Sequence, residues 1–231
     1  MTFFRPEHEI IADLLGRMDH RLLLDSRCWF GGGTAIVLQL GEYRRSLDVD
    51  FLCSSTDGYR QVREAVAREG AGALLPEGAP SLREPRTDQY GIRMFVDYRG
   101  LRLKLEIVRE ARIDLDGGID PVLKVPTLHR HDLFAEKLLA NADRCMDRAV
   151  AYRDAIDLGM LVTAFGAIPE IALEKAVGAY GADIERKALW VLDRLSDRQE
   201  LRQAADTLQM DHTAAAGAID ALRRDCRRIW P

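Results

Sequence analysis

The spacing of hydrophobic residues predicts a first part of mixed helices and strands, followed by a second part of helices alone. Helical spacing in 6–25 predicts an amphipathic helix with an apolar stripe of Ile10, Ile11, Leu14, Leu15, Met18 and Leu22. Shorter predicted elements follow in the order 28–30 (strand), 34–40 (helix), 48–52 (strand) and 59–69 (helix).

Two strand-like stretches lie in the middle of the chain. Residues 92–98 and 101–108 alternate between apolar and polar side chains on either side of Arg99-Gly100, which predicts an antiparallel hairpin. Glycine and proline are frequent in 70–88, so this stretch is expected to be a loop with one short strand at most. The glycines and prolines of 117–126 indicate a second break in the regular structure.

From residue 127 onward the hydrophobic spacing is helical to the end of the chain. Pro169 stands where a helix would begin, as Pro6 does near the start of the chain. The predicted helices are 130–143, 147–164, 169–180, 182–194, 197–208 and 212–229. Strands mixed with helices, and then helices alone, predict an α+β fold: a mixed sheet flanked by helices in a domain of residues 1–126, and a helical domain of residues 127–231.

Composition narrows the class of protein without naming a function. Of the 231 residues, 47% are hydrophobic and 30% are charged, which is typical of a globular protein. A net charge of −4 argues against bulk coating of nucleic acid, although a local basic patch remains compatible with it. The four cysteines have no Cys-x-x-Cys spacing, which favours reduced thiols. Without a signal-peptide pattern or a long apolar run, we expect a cytoplasmic protein with no membrane partner.

The stretch 31–52, GGGTAIVLQLGEYRRSLDVDFL, contains a glycine turn, a short helix and a strand with two aspartates. Asp48 and Asp50 are two positions apart, so their side chains would leave the same face of a strand. Neighbouring carboxylates repel each other, and a divalent cation would remove that repulsion. The pattern therefore predicts a magnesium site close to the glycine turn.

The glycine turn itself predicts a phosphate site. Gly32 and Gly33 allow a ligand to approach the backbone, and Thr34 is expected to cap the helix that follows. The N–H groups at the start of this helix would then bind an anion. A P-loop is excluded because no Gly-Lys-Thr/Ser follows, and a dinucleotide fingerprint is excluded because its third glycine is missing.

These motifs resemble the polymerase-β-like nucleotidyltransferase superfamily, and most closely its AbiEii/AbiGii-type toxins of type IV toxin–antitoxin systems. The resemblance rests on GGTAI followed by RRSLDVDFL, on KLLANADR at 137–144 and on RDAIDL at 153–158. It covers about 31–158 and leaves the last seventy or so residues without a motif. It implies a nucleotidyltransferase domain that uses an NTP and two Mg²⁺ ions, with Mn²⁺ as the alternative.

The resemblance also implies roles for residues of the first domain. Asp48 and Asp50 would hold both metal ions, and a third carboxylate would come from a neighbouring strand. Glu106 is favoured for this third position and Asp97 is the competitor, while a surface pair with Lys104 would be a purely structural reason for Glu106.

The same resemblance implies that a pair of residues preceding the aspartates would contact the triphosphate. Ser46 would donate a hydrogen bond, and Arg45 would provide positive charge. Arg44 is adjacent and is the alternative to Arg45.

In the helical domain, the resemblance assigns Lys137 to the β- and γ-phosphates, with Arg144 assisting from the same helix face. Arg153, Asp154 and Asp157 would support the site from behind these residues. The aspartates would orient Lys137 or the arginines, or alternatively touch the nucleotide or the acceptor. His129 and His131 do not share a helix face, which argues against a metal site. The last helix carries four arginines that would face either RNA or solvent: Arg223, Arg224, Arg227 and Arg228.

Three functions agree with these residues. The leading hypothesis is transfer of NMP from an NTP to RNA, with the 3′ end of a tRNA as the expected acceptor, by a toxin that has a cognate antitoxin. The second hypothesis keeps the chemistry and replaces the acceptor by a protein hydroxyl. The third is a module that binds nucleotide or a partner without turnover.

Overall fold

The computed structural model describes residues 3–231, which form two compact units. The first unit extends to Gln39 and resumes with Ser46–His129, whereas the second contains Leu40–Arg45 and Arg130–Pro231. The sequence placed the division after residue 126. A short strand, described below, continues the first unit to His129, and the excursion of 40–45 into the second unit has no counterpart in the hydrophobic pattern.

The first unit contains four α-helices: α1 (Pro6–Arg17), α2 (His20–Asp25), α3 (Gly32–Gln39) and α4 (Thr56–Glu69). The single helix predicted for 6–25 is therefore wrong. It is interrupted because the Asp19 side chain accepts a hydrogen bond from the backbone N–H of Leu22 at 2.9 Å and so begins a new helix. Ser55 caps α4 in the same way, through the backbone N–H of Gly58.

The sheet of the first unit is mixed and has the strand order β3-β4-β5-β2-β1-β7-β6. Its strands are β1 (Cys28–Gly31), β2 (Val49–Cys53), β3 (Arg86–Thr87), β4 (Gly91–Tyr98), β5 (Leu101–Arg109), β6 (Gly117–Ile119) and β7 (Pro126–Leu128). The predicted β4–β5 hairpin is confirmed as an antiparallel pair. β2 pairs antiparallel with β1 and parallel with β5. β6 lies in the stretch 117–126 that was predicted only as a break, and β7 begins at the end of that stretch and extends to Leu128, where no strand was predicted.

Alternation along β2 determines which of its side chains join the core. Val49 and Phe51 are fully buried, and the Phe51 ring centroid lies 5.6 Å from that of Phe30 on β1. Asp50 is directed to the other face and is half-buried. The strand is thus anchored by apolar side chains while it presents a carboxylate on the opposite face.

The second unit is helical: α5 (Arg130–Arg144), α6 (Arg153–Phe165), α7 (Glu170–Tyr180), α8 (Asp183–Arg194), α9 (Arg198–Thr207) and α10 (His212–Ile229). These helices confirm the predicted number and order. The start predicted at 147 is wrong, because a 3₁₀ turn at Arg148–Val150 precedes α6. α6 and α10 approach so closely at Gly159 that an added Cβ would lie 2.2 Å from the Ala218 carbonyl oxygen.

Within the second unit, the segment Leu40–Arg45 is held by the helices. The backbone N–H of Arg45 donates to the carbonyl of Leu208, which follows α9, at 2.9 Å. Tyr43 and Arg44 contribute side chains to the cluster described below. Across residues 3–231, no helix is both long and apolar enough to cross a bilayer.

Candidate functional site

The register of the sheet places two of the predicted carboxylates side by side. Asp50 on β2 lies next to Glu106 on β5, and Glu106 lies next to Arg93 on β4. Residues that are paired in register point to the same face of the sheet. The competitor Asp97 pairs with Arg102 near the hairpin end, on a strand that is not adjacent to β2. The fold therefore puts Glu106, and not Asp97, beside Asp50.

Asp48 lies immediately before β2, since the strand begins at Val49 and not at residue 48 as predicted. It is half-buried and makes no hydrogen bond or ion pair with any of residues 3–231. We refer to Asp48, Asp50 and Glu106 together as the carboxylate set.

Glu106 is engaged by two basic side chains of the same sheet. Its carboxylate lies 3.1 Å from the Arg93 Nε and also forms an ion pair with the Lys104 ammonium. The pair with Lys104 is the structural alternative that the sequence left open. These two cations compensate the charge of Glu106 while it lies next to Asp50.

The donors of the carboxylate set suit magnesium, because hard oxygen ligands are those that Mg²⁺ prefers. The side chains are not gathered around a common point, however: among residues 3–231 no group of three His, Cys, Asp or Glu residues is arranged to hold a metal ion. A cation at Asp50 that recruited Glu106 would compete with Arg93 and Lys104 for its carboxylate oxygens.

The glycine turn fits closely against Asp50. Gly32 has a φ of +67°, and a Cβ added there would lie 2.8 Å from the Asp50 Oδ2. Only glycine accepts this conformation and this contact without strain. α3 begins at Gly32, so the backbone N–H groups of Gly32, Gly33 and Thr34 belong to its first turn, where such groups lack partners within the helix.

Thr34 does not cap α3, which corrects the sequence-based expectation. It is the third residue of the helix and is buried, and its hydroxyl donates to the Ser46 Oγ at 2.9 Å. Ser46 Oγ accepts that bond and retains its own O–H as a donor. The structure thus joins two of the predicted phosphate-binding residues by a direct hydrogen bond.

His8 was missed by the sequence analysis. It is fully buried in α1, and its Nε2 accepts a hydrogen bond of 3.3 Å from the backbone N–H of Ser46. The hydrophobic pattern of the first helix could have identified His8, because it shares a helix face with Ile11 and Leu15 and is therefore a polar residue in an apolar stripe.

The two later motifs meet inside the second unit. The Lys137 Nζ lies 2.8 Å from the Asp154 Oδ1 and 2.7 Å from the Asp157 Oδ2. Asp154 also accepts from the Arg144 Nε at 2.6 Å. Asp157 binds the Arg44 guanidinium through two hydrogen bonds, of 2.7 and 2.8 Å. Together with Tyr43, whose hydroxyl donates to Asp157 at 2.6 Å, these residues form what we call the buried ion-pair cluster.

Burial and charge act in opposite directions in this cluster. Burial raises the pKa of Asp154 and of Asp157, but the neighbouring Lys137, Arg144 and Arg44 outweigh it and hold both pKa values below their ordinary range. Burial lowers the pKa of Arg44, and the attraction of Asp157 outweighs it, so that the pKa is raised. Both aspartates are therefore ionised, and Arg44 is protonated, at neutral pH. Three basic side chains, those of Arg44, Lys137 and Arg144, surround these two carboxylates.

The remaining candidates occupy different environments. Arg44 is 2% exposed and is committed to Asp157, whereas the neighbouring Arg45 is half-buried. Arg153 is the first residue of α6 and makes no ion pair with the described residues. Of the arginines in α10, Arg223 binds Asp220 and Arg228 binds Asp225, while Arg224 and Arg227 are exposed.

Comparison with known proteins bears on the family and the fold. Residues 13–229 match the family model described as the nucleotidyl transferase AbiEii toxin of a type IV toxin–antitoxin system. A solved structure assigned as a nucleotidyltransferase from H. pylori is similar, with 18% identity over 99% of this chain and 97% of that one, and a TM-score of 0.55. JHP933 from Helicobacter pylori gives the same identity and TM-score over 99% and 95%. No curated protein matches the sequence.

Proposed function

Because the chain belongs to the AbiEii nucleotidyl transferase toxin family of type IV toxin–antitoxin systems, we propose that it transfers NMP from an NTP to an RNA hydroxyl, with Mg²⁺ at the carboxylate set. The observation that supports this proposal most is the register that brings Asp50 next to Glu106 and against Gly32 at the start of α3. Carboxylates beside a helix N-terminus combine a place for a cation with a place for phosphate.

In this proposal Asp48 and Asp50 would hold the metal ions, and Glu106 would be the third ligand. Bound Mg²⁺ would supply positive charge that favours deprotonation of the acceptor hydroxyl and release of pyrophosphate. Asp48 suits this role because it has no competing partner among residues 3–231. Glu106 suits it because its register neighbour is Asp50, and a metal ion would compete with Lys104 for its carboxylate.

The phosphates would be bound by groups around the glycine turn. The backbone N–H groups of Gly32, Gly33 and Thr34 are the donors of the first turn of α3. The Ser46 hydroxyl is held toward Thr34 and has a hydrogen left to donate. Arg45 would add positive charge, since Arg44 is committed to Asp157.

Roles for the second unit remain predictions. Lys137 uses two of its three N–H donors on Asp154 and Asp157, so one is left for a phosphate. Arg144 is 37% exposed and is the more informative residue to change, because truncating it leaves the Lys137 pairs in place. If the Arg144 side chain contacts the nucleotide, Arg144→Ala should weaken NTP binding. It should lower the free energy of unfolding less than a substitution of Lys137 does.

The acceptor and the partner are further parts of the proposal. The resemblance to AbiEii/AbiGii-type toxins supports RNA as the acceptor, with the 3′ end of tRNA as the site of transfer, and supports a cognate antitoxin protein. A protein hydroxyl would use the same phosphoryl chemistry, and the following assay distinguishes the two acceptors.

The test is incubation of the purified protein with each α-³²P-labelled NTP, Mg²⁺ and total tRNA. Asp50→Asn should abolish labelling in a variant that circular dichroism shows to be folded. Asp57→Asn, which changes an exposed carboxylate of α4, should retain normal labelling activity. Label on tRNA supports the proposal, whereas label on protein alone would show that the acceptor is a protein hydroxyl and not RNA. No label with any NTP, or full labelling by Asp50→Asn, would overturn it.

A further inference from the structure

Two of the four cysteines are brought together by the sheet, although they are 25 positions apart and have no motif spacing. Cys28 on β1 and Cys53 on β2 are register partners in the antiparallel pair. Both are buried, and both thiols donate to the same backbone carbonyl. This carbonyl belongs to Ser26, and its oxygen lies 3.8 Å from the Cys28 sulfur and 3.3 Å from the Cys53 sulfur.

We propose that Cys28 and Cys53 form a redox modification site, a dithiol that peroxide converts into a disulfide joining β1 to β2. This site is distinct from the carboxylate set and does not depend on the nucleotidyltransferase activity.

The register brings the pair within reach of a disulfide bond. Residues directly opposite each other in an antiparallel ladder have Cα atoms about 4.5–5.5 Å apart. Disulfides need a Cα separation of about 4.4–6.8 Å and side chains that point toward one another. Register partners leave the same face, and both sulfurs lie within 3.8 Å of the same carbonyl oxygen, that of Ser26. The bond can therefore form without a shift of either strand.

The two other cysteines show that burial alone does not create such a site. Cys145 and Cys226 are also buried, but neither has a thiol partner among the described residues. They fit the ordinary role of cysteine as a small apolar side chain. Burial, together with Asp225, raises the pKa of Cys226 to about 12, so its thiolate is scarce at neutral pH. These two residues provide an internal control.

The environment distinguishes the two thiols of the pair. The neighbouring Cys28 thiol, whose effect outweighs burial, lowers the pKa of Cys53, and Arg27 and Arg109 act in the same direction. The Cys53 thiol and burial raise the pKa of Cys28. Thiolate is the reactive form, so Cys53 is the attacking sulfur and Cys28 the resolving one.

The reaction is balanced with hydrogen peroxide as the oxidant. The Cys53 thiolate attacks one peroxide oxygen and breaks the O–O bond, which gives a sulfenic acid and hydroxide. The Cys28 sulfur, after losing its proton, attacks the Cys53 sulfur and displaces a second hydroxide as the S–S bond forms. The two thiol protons combine with the two hydroxides. Overall, two thiols lose two electrons and hydrogen peroxide becomes two waters.

The test is mass spectrometry of the full chain after treatment with hydrogen peroxide. The expected result is loss of about 2 Da, the mass of two hydrogens, which dithiothreitol reverses. Tryptic digestion without reductant should give peptides 28–44 and 46–60 linked together. The Cys145→Ser/Cys226→Ser double variant should form the same link, because it retains the pair.

The single variants Cys28→Ser and Cys53→Ser should lose the link. Circular dichroism would verify that they fold, and the double variant keeps the test valid if they do not. The proposal fails if the folded protein retains four titratable thiols after oxidation. It also fails if Cys53 is converted to sulfinic acid while Cys28 stays reduced, since the two sulfurs would then not be in reach of each other.

Discussion

The buried ion-pair cluster and the carboxylate set differ in how their charges are compensated. In the cluster, each aspartate is bound by at least two partners, such as Lys137 and Arg144 on Asp154. In the carboxylate set, Asp48 has no partner among residues 3–231, and Glu106 is compensated by Lys104 and Arg93, which are each 40% exposed. A charge satisfied inside the protein contributes to folding, whereas one left near solvent is available to a ligand. Substitutions should therefore affect stability in the first case and activity in the second.

The largest effect is expected from Asp157→Asn in the buried cluster. The amide keeps the shape of the side chain but removes the charge that compensates Arg44 and Lys137. Breaking a buried pair in this way costs about 3–5 kcal/mol. Urea unfolding would measure the loss, with Asp193→Asn at an exposed position of α8 as the matched control. A loss of only about 1 kcal/mol, as for an exposed pair, would contradict the account of the cluster.

On the side of the carboxylate set, Glu106→Gln is expected to reduce NMP transfer about a hundredfold, the size found when one preorganised polar group is removed from an active site. Asp97→Asn is its control, because Asp97 pairs with Arg102 and lies away from β2. Initial rates of labelling would be compared after urea unfolding has verified that both variants are folded. If Asp97→Asn lost the activity and Glu106→Gln kept it, the assignment of the third carboxylate would be reversed.

Acid should act on the cluster through Asp154. Its pKa in the folded protein lies below its value in the unfolded chain, which is about 3.9. The ionised carboxylate therefore stabilises the fold above that pH, and the contribution is lost as the pH falls further. The free energy of unfolding should decline below about pH 4, and it should decline less steeply in Asp154→Asn. Identical pH profiles for the two proteins would show that Asp154 is not responsible.

The smallest effect concerns the hydrogen bond between Thr34 and Ser46. Thr34→Val keeps the buried shape and removes the donor, which should lower the free energy of unfolding by about 1 kcal/mol. A double-mutant cycle with Ser46→Ala would isolate the pairwise term. Strictly additive effects would mean that the two hydroxyls do not support each other in solution.

The helices of the second unit could be predicted because each carries a long amphipathic pattern, as in α8 and α10. β6 and β7 could not, because each has three residues and they lie in a stretch rich in glycine and proline. Such a short segment becomes a strand through its neighbours: Thr127 pairs with Phe30 of β1, and this contact is not encoded in local sequence.

For the candidate site, the sequence predicted which side chains share a face but not which charges pair. Alternation put Lys104 and Glu106 on one face of β5, and both are found there as an ion pair. Arg44 was considered for the triphosphate because it stands close to Asp48 in the chain, yet it binds Asp157. Local patterns carry no information about a partner that lies so far along the sequence.

The excursion of Leu40–Arg45 into the second unit has a consequence for biosynthesis. Arg44 leaves the ribosome 113 residues before Asp157, its carboxylate partner. At about 5–20 residues per second, the nascent chain waits on the order of ten seconds with this guanidinium unmatched. The second unit therefore cannot be completed from a contiguous fragment: a chain cut after His129 would carry Arg44 without its partner, and the remaining piece would carry Asp157 without Arg44.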